Sequence, residues 1–428
     1  MERCSVLGDV AVRWRYGGSS GVRRGVQRGV QLSELNGLTV ISMDSDQQVS
    51  AVRSAQEHST DSATPEPARI QRLPWPLDAA LRWLERVDPG THRRIKGLRL
   101  VTAYGIAAAL GSLRDITHGL PTGIALASLA GGFALWASVS EGRTTRLESS
   151  RDLALLCGAA ALGAATFIGA APLLSGMGPA ATELVLITGA FLVGYLRRFG
   201  MLGAGIGSQI YIGQLLAYGA GLTRADLGAV CIAGLIAALA AIVPRLLSGP
   251  AERPVLAPTQ ALANARGPGG SGVSPHWAMG LQAAVSALII VALNATIGLE
   301  ESAWAITACV YVIAGSAAGT VERVRRRIIG TLIGVPLALV CLPIAMYAPL
   351  LIWIAAALAM IVYAMATPNR YDIACAAFAF TLIVTLAVSG EHSISVLVAR
   401  AWETLLGGVL GLAAAMFIFP LRPAAPAE

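Results

Sequence analysis

The 428-residue chain is 55% hydrophobic and only 13% charged, with a formal charge of +7 and a mean hydropathy of +0.64. A soluble domain carries about 25% charged residues, so these charges are too few to cover a water-soluble surface, and the apolar excess needs a lipid solvent. The basic balance does not point to nucleic acid, because the arginines sit beside apolar runs, where the positive-inside rule accounts for them.

Residues 1–42 are rich in Arg and Gly, with no helical period and no apolar core of a signal peptide. Met43 opens a more ordinary polar start and is the expected initiator, with 1–42 untranslated. Residues 44–76 are polar and proline-punctuated, too poor in apolar area to order themselves. A disordered cytoplasmic tail is therefore expected over 1–92. An interfacial helix near 77–88 interrupts it, because Leu77, Ala80, Leu81 and Leu84 share a face between Pro76 and Asp88-Pro89-Gly90.

From there apolar runs of about 18 to 22 residues alternate with short charged breaks, the length that crosses a ~30 Å hydrocarbon core at 1.5 Å per residue. Six runs fall in residues 93–244, near 99–117, 119–139, 152–173, 178–196, 201–220 and 225–244. Six more fall in 277–422, near 277–298, 302–319, 328–347, 349–367, 371–389 and 394–420. Residues 245–276 read as a flexible cytoplasmic linker rich in Pro, Gly and Ser, and 423–428 as a short tail. The fold class predicted is an all-α membrane protein of about 12 transmembrane helices.

Loop charge gives sidedness. With the N-terminus inside, the inner loops hold Arg143, Arg146, Arg151, Arg197, Arg198, Arg245, Arg323, Arg325, Arg326, Arg327 and Arg370, whereas the outer ends hold Arg114, Arg224 and Arg400. Both termini are then cytoplasmic, in a multi-pass protein of the cell (inner) membrane. The halves also match at a constant offset of 176 residues: Arg151 with Arg327, Gly158 with Gly334, Tyr195 with Tyr371, Arg224-Ala225 with Arg400-Ala401, and Pro244 with Pro420. An even number of spans per half makes the two six-helix repeats parallel, related by an axis along the membrane normal. This plan is common in transporters, with substrate at the repeat interface.

The loop opening the third run of the second half reads GTVERVRRRIIGTLIGVPLAL, containing Arg323-x3-Arg327-x2-Gly330-Thr331-x2-Gly334. With Asn369-Arg370-Tyr371-Asp372 and the closing helix ARAWETLLGGVLGLAAAMFIFPLR, it resembles the fusaric-acid-resistance (FUSC-like) family of membrane transporters. That family includes aromatic acid exporters, and plant malate-type anion channels look like distant relatives. The resemblance spans roughly residues 98–422 and implies export of organic, often aromatic, carboxylates driven by protons. The first half keeps only Arg151 and Gly158 of the loop motif, and the cytoplasmic domain of many relatives is replaced here by the linker.

The candidate substrate-binding or coupling residues are few. Arg400, with Glu403 one turn on, reads either as an anion attractor with its counter-ion or as an interfacial anchor. Arg224 and Asp226 repeat that arrangement, though at a spacing that does not share a helix face. Arg323 and Arg327 are either topology determinants or the lining of an anion-gathering mouth. Gly330 and Gly334 are placed for close helix packing. Thr331 donates to a ligand or to its own helix. Asp372, beside Tyr371, is a helix N-terminal acid or a protonation site. Glu183, inside its span, is the carboxylate with the fewest evident companions and a candidate proton carrier. Gln209, Gln214 and Asn294 read as helix joiners. Trp304, Tyr311, Trp353 and Trp402 fit an aromatic belt, with Trp304 and Trp402 also placed to stack on an aromatic substrate.

Cys4, Cys157, Cys231, Cys309, Cys341 and Cys375 form no CxxC pair, the histidines lack ligand spacing, and neither GRTTR nor GTLIG is a phosphate loop. No catalytic residue, metal site or cofactor is therefore expected, and the chain is not expected to be an enzyme. The expected partners are the lipid bilayer, a small organic anion and protons, with no nucleic acid. A proton-coupled exporter leads, ahead of a passive anion channel and a non-transporting envelope scaffold.

Overall fold

A computed structural model describes residues 92–113, 123–143, 145–248, 274–299, 302–367, 369–388 and 394–420, together with Arg82. The expected tail, its interfacial helix and most of the linker lie outside the described residues. Among the described residues the secondary structure is helical throughout. In chain order the α-helices are α1 (His92–Gly111), α2 (Gly123–Ser140), α3 (Arg146–Leu174), α4 (Leu184–Tyr195), α5 (Gly200–Gly219) and α6 (Leu227–Leu247). They continue as α7 (Pro275–Ile297), α8 (Ser302–Val312), α9 (Ala317–Tyr347), α10 (Pro349–Ala366), α11 (Tyr371–Val388) and α12 (Ile394–Phe417). Short 3₁₀ turns join α3 to α4, α4 to α5 and α5 to α6.

Among the described residues six segments are long and apolar enough to cross a membrane: Arg146–Met177, Ala180–Gly219, Arg224–Leu247, Pro275–Ile297, Ala317–Ile344 and Pro349–Ala366. The chain is an all-helical, multi-pass membrane protein. Many large apolar side chains stay exposed on these helices, among them Leu235, Leu239, Leu332, Ile333, Leu350 and Leu358, as expected where lipid is the solvent.

The structure moves several expected boundaries. α1 begins at His92, ahead of the run expected near 99–117. α3 begins at Arg146 and includes charged residues that composition assigned to a loop. The largest change is at α8, which stops at Val312 although its apolar run continues to 319. The chain breaks at residues 313–316 and restarts as α9. Hydrogen bonds hold this break: Gly319 N–H donates to Ser316 Oγ at 3.1 Å, and Ala314 N–H donates to Thr320 Oγ1 at 3.0 Å. A serine N-cap outweighs apolar continuity because the orphan N–H groups of α9 need acceptors.

Helix packing recurs between the halves. Within residues 92–247, α1 packs on α2 and α6, α2 on α6, α3 on α5 and α6, and α4 on α5. In the second half α7 packs on α8 and α12, α8 on α12, α9 on α11 and α12, and α10 on α11. The contacts between halves recur as well, α4 on α7 and α10 on α1.

Both tightest helix pairs close on glycine. A Cβ at Gly163 would collide with the Ile210 carbonyl, and one at Gly213 with the Ala160 carbonyl, across α3 and α5. Across α9 and α11, a Cβ at Gly330 would meet the Asp372 carbonyl, and one at Gly334 the Ala376 carbonyl. Lipid tails are as apolar as leucine, so such backbone approach is what holds membrane helices together. Gly158, by contrast, faces open space.

Gly330→Ala and Gly334→Ala are each expected to cost about 1–3 kcal/mol through overpacking, whereas Gly158→Ala is expected to be neutral or slightly stabilising. Thermal unfolding of the detergent-purified variants checks this, and an equal response at all three positions would refute the crossing.

Candidate functional site

The loop arginines divide by direction. Arg325 and Arg326 turn to the rim, where Glu322 pairs with them at 3.0 and 2.6 Å and the Asn369 carbonyl accepts from Arg326 at 3.1 Å. Arg323 and Arg327, one helical turn apart, turn toward the seam between the halves. Arg323 donates to the Ile313 carbonyl at 3.2 Å, at the open end of α8. Arg327 makes a long contact, 3.5 Å, to the Tyr371 hydroxyl, and its buried Nε has no hydrogen-bond partner among the described residues. From the first half, Arg197 at the end of α4 comes near enough to Arg323 for their charges to oppose. Among the described residues no carboxylate forms an ion pair with Arg197, Arg323 or Arg327.

Tyrosine rings lie near these guanidiniums. Tyr311 neighbours Arg197 and Arg327, Tyr211 neighbours Arg327, and Tyr371 neighbours Arg323 and Arg327. Trp136 packs edge-on against Tyr363 at 6.1 Å and Phe378 at 5.6 Å, and Trp304 lies 6.3 Å from Phe378. Trp136 and Tyr211 come from the first half, and the other rings from the second. Two hydroxyl bonds tie α5 to α8 there. Thr307 donates to the Ala303 carbonyl, so Tyr211 donates to Thr307 at 2.8 Å, and Ser208 bonds Tyr311 at 2.7 Å. Guanidinium clusters with aromatic walls suit a planar carboxylate. Arg pairs with it bidentately, and low-polarity walls strengthen the attraction.

The remaining sequence candidates separate. Arg400 lies in α12, with its side chain outside the described residues, while Glu403 is fully buried. Arg224 and Asp226 face different surroundings. Asp226 accepts from Thr223 N–H at 2.8 Å and Thr223 Oγ1 at 2.9 Å, capping the start of α6, while Arg224 is exposed. Asp372 pairs with Arg370 at 2.9 Å on the rim and holds that guanidinium above its ordinary pKa. Asp152 does the same for Arg143 at 2.8 Å. Thr331 is buried on α9. Trp353 and Trp402 are exposed, away from the enclosed rings, whereas Trp304 and Tyr311 belong to the seam.

At the other end of α4 lies Glu183, 1% exposed. It is far better accompanied than its sequence neighbours suggest. Its Oε1 accepts from Tyr218 Oη at 2.7 Å, Asn294 Nδ2 at 2.8 Å and Ser302 Oγ at 2.6 Å. Asn294 Oδ1 in turn accepts from Leu299 N–H at 2.8 Å, and Gly298, at φ 66°, turns the chain toward Ser302. Gln214 joins helices, its Nε2 donating to Thr188 at 3.0 Å and Thr166 at 3.3 Å, and Gln209 likewise reaches Ser140 at 3.1 Å.

Sequence reading missed Arg197 as a site residue and did not single out Ser208, Tyr211, Tyr218, Trp136, Ser302, Thr307, Tyr363 or Phe378. One pattern was available on α5, where Ser208, Tyr211 and Tyr218 share one helical face among apolar and glycine residues.

Residues 283–414 match the fusaric acid resistance protein-like family. The resemblance carried by the Arg323–Gly334 loop is borne out over this stretch. The match takes in Arg323, Arg327, Tyr311, Tyr363 and Tyr371, and leaves out the first-half contributors Arg197, Tyr211 and Glu183. No curated protein and no solved structure matches the chain.

Combining Tyr211→Phe with Thr307→Val in a double-mutant cycle is expected to give an interaction energy of about 0.5–1.5 kcal/mol. Unfolding of purified protein measures it, and strict additivity would show that this bond does not hold α5 to α8.

Proposed function

We propose that this protein is a secondary transporter that exports small aromatic carboxylates from the cytoplasm and is driven by the proton gradient. The observation that carries the reading is the set Arg197, Arg323 and Arg327, contributed by both halves, with Tyr211, Tyr311, Tyr363 and Tyr371 near them and the rings of Trp136, Phe378 and Trp304 continuing from Tyr363. A charge inside a membrane protein costs several kcal/mol unless it is paired or serves a path. Three such cations together call for an anion, and the rings favour an aromatic one.

The two halves act as parallel six-helix repeats, twelve crossings in all. The recurring helix pairs, and the reciprocal packing of α4 on α7 and α10 on α1, support a two-fold relation along the membrane normal. Substrate at the interface of two such bodies is exposed to either side by rocking one against the other. The arginine-rich ends, read with the positive-inside rule, put the guanidiniums at the cytoplasmic mouth and both termini in the cytoplasm of an inner-membrane protein.

Reconstituted vesicles test this. An inward-acidic gradient is expected to drive accumulation of benzoate-class acids. Arg327→Ala should raise half-saturation about 10–100-fold, as loss of a charge-assisted hydrogen bond of about 1.5–3 kcal/mol implies, while Arg327→Lys recovers part of the affinity. Arg325→Ala, on the rim, should change it less than about twofold. Flux that dissipates but never builds a gradient would make the protein a passive channel. No flux at all would make it a scaffold.

Sidedness is tested separately. A single cysteine at Arg325, in a cysteine-free background, is expected to react with an impermeant maleimide only after cells are permeabilised. Labelling of intact cells would reverse the orientation.

A further inference from the structure

We propose that Glu183 is the proton-binding residue of the transport cycle, loading its proton on Oε2 at the end of the helices opposite the arginines. The proposal rests on the transporter reading above and deepens it. Glu183 Oε1 is occupied by three donors, from Tyr218 of the first half and Asn294 and Ser302 of the second. Its Oε2 is buried and has no hydrogen-bond partner among the described residues. An ionised carboxylate with half of its acceptor capacity unmet is costly away from water. A proton added at Oε2 removes the charge and leaves Oε1 still accepting all three bonds. The same three donors serve both protonation states, with weaker bonds once the charge is gone.

Few ionisable groups surround this carboxylate. Among the described residues that hydrogen-bond it, the Tyr218 phenol is the ionisable one. The end of α3 from Gly163 to Leu174 carries none, and α4 carries only Tyr195, at its far end. α7 carries only His276, at its far end. On α8 the ionisable groups are Cys309 and Tyr311, two turns or more beyond Ser302. Glu300 and Glu301, which precede Ser302, lie outside the described residues.

The position links the proton to the substrate seam. α4 has Glu183 just before its first residue and Arg197 just after its last. α8 begins at Ser302 and ends just before Ile313, whose carbonyl Arg323 holds. α5 presents Tyr218 to Glu183 and, two turns away or about 10 Å, Tyr211 to Thr307. When ionised, Glu183 draws both halves onto one charged oxygen through charge-assisted bonds, roughly twice as strong as neutral ones. Protonation weakens that clamp and lets α5 and α8 separate at this end. The proton comes from the water on that side, forms one O–H bond on Oε2, and leaves as that bond breaks when the site faces the other side. One proton is carried per cycle.

The test uses the full chain in lipid nanodiscs and vesicles. Infrared difference spectra of wild type on acidification are expected to show a protonated-carboxyl C=O band that Glu183→Gln lacks. In Glu183→Gln, benzoate binding and benzoate–benzoate exchange should stay within about twofold of wild type, and pH-driven accumulation should fall at least tenfold. Ser302→Ala, which removes a donor to the ionised form, should move the band midpoint to higher pH. An unchanged band or undiminished pH-driven accumulation in Glu183→Gln overturns the proposal. So does a midpoint unmoved by Ser302→Ala, a readout that holds even if Glu183→Gln fails to fold, and so does accumulation that follows a sodium gradient. If benzoate binds to no variant, the substrate reading fails, while the infrared band still decides the role of Glu183.

Discussion

Two membrane helices gain nothing by hiding leucine from lipid, so their association depends on how closely their backbones approach. In this protein that approach is made at Gly163 and Gly213 between α3 and α5, and at Gly330 and Gly334 between α9 and α11. Each half has its version of the crossing, and each crossing fixes where the polar residues one or two turns away will point. Gly330 stands one turn from Arg327. With α11 pressed against it, Tyr371 is brought to the guanidinium. On α5, Gly213 fixes the rotation that turns Tyr211 toward Thr307 and Gln214 toward Thr188. The site is thus a consequence of small residues set among apolar ones.

Two groups of polar residues join the halves along the seam. At one end stand guanidiniums and the phenols of Tyr311, Tyr363 and Tyr371. At the other stands a carboxylate that accepts from three side chains drawn from both halves. α4, α5 and α8 each have one end at the carboxylate and the other at the arginines. The break after Val312 matters here. An uninterrupted helix would hold the Ile313 carbonyl within its own ladder, whereas the break turns it to Arg323. Irregular backbone at membrane depth is tolerated where protein or a polar path satisfies it.

The residue matches at an offset of 176 do not pair like surroundings. Arg151 and Arg327 are equivalent by offset, yet Arg151 is exposed beside Asp152 while Arg327 enters the seam. Residue 147, which corresponds to Arg323, is a leucine. Helix pairs recur between the halves, but the polar groups do not: the second half supplies most of the arginine and aromatic groups of the seam, and the first supplies the buried carboxylate.

Hydrophobic runs, charged breaks and loop motif were all legible, because lipid imposes length and composition on anything that crosses it. These sufficed for an all-helical membrane protein and for the family resemblance. The i, i+4 spacing of Arg323 and Arg327 also marked them as one face, distinct from Arg325 and Arg326. What no periodicity could reveal is which face meets which neighbour, since Ala- and Gly-rich helices are nearly uniform around their circumference. Asp226 and the end of α8 were decided locally, by the hydrogen bonds of Thr223, Ser316 and Thr320, which apolar run length does not register. Only packing brought Tyr218, Asn294 and Ser302 onto Glu183 and drew Arg197 toward Arg323, through contacts between residues far apart in the chain, where a hydrogen bond in a low-dielectric interior outweighs local preference.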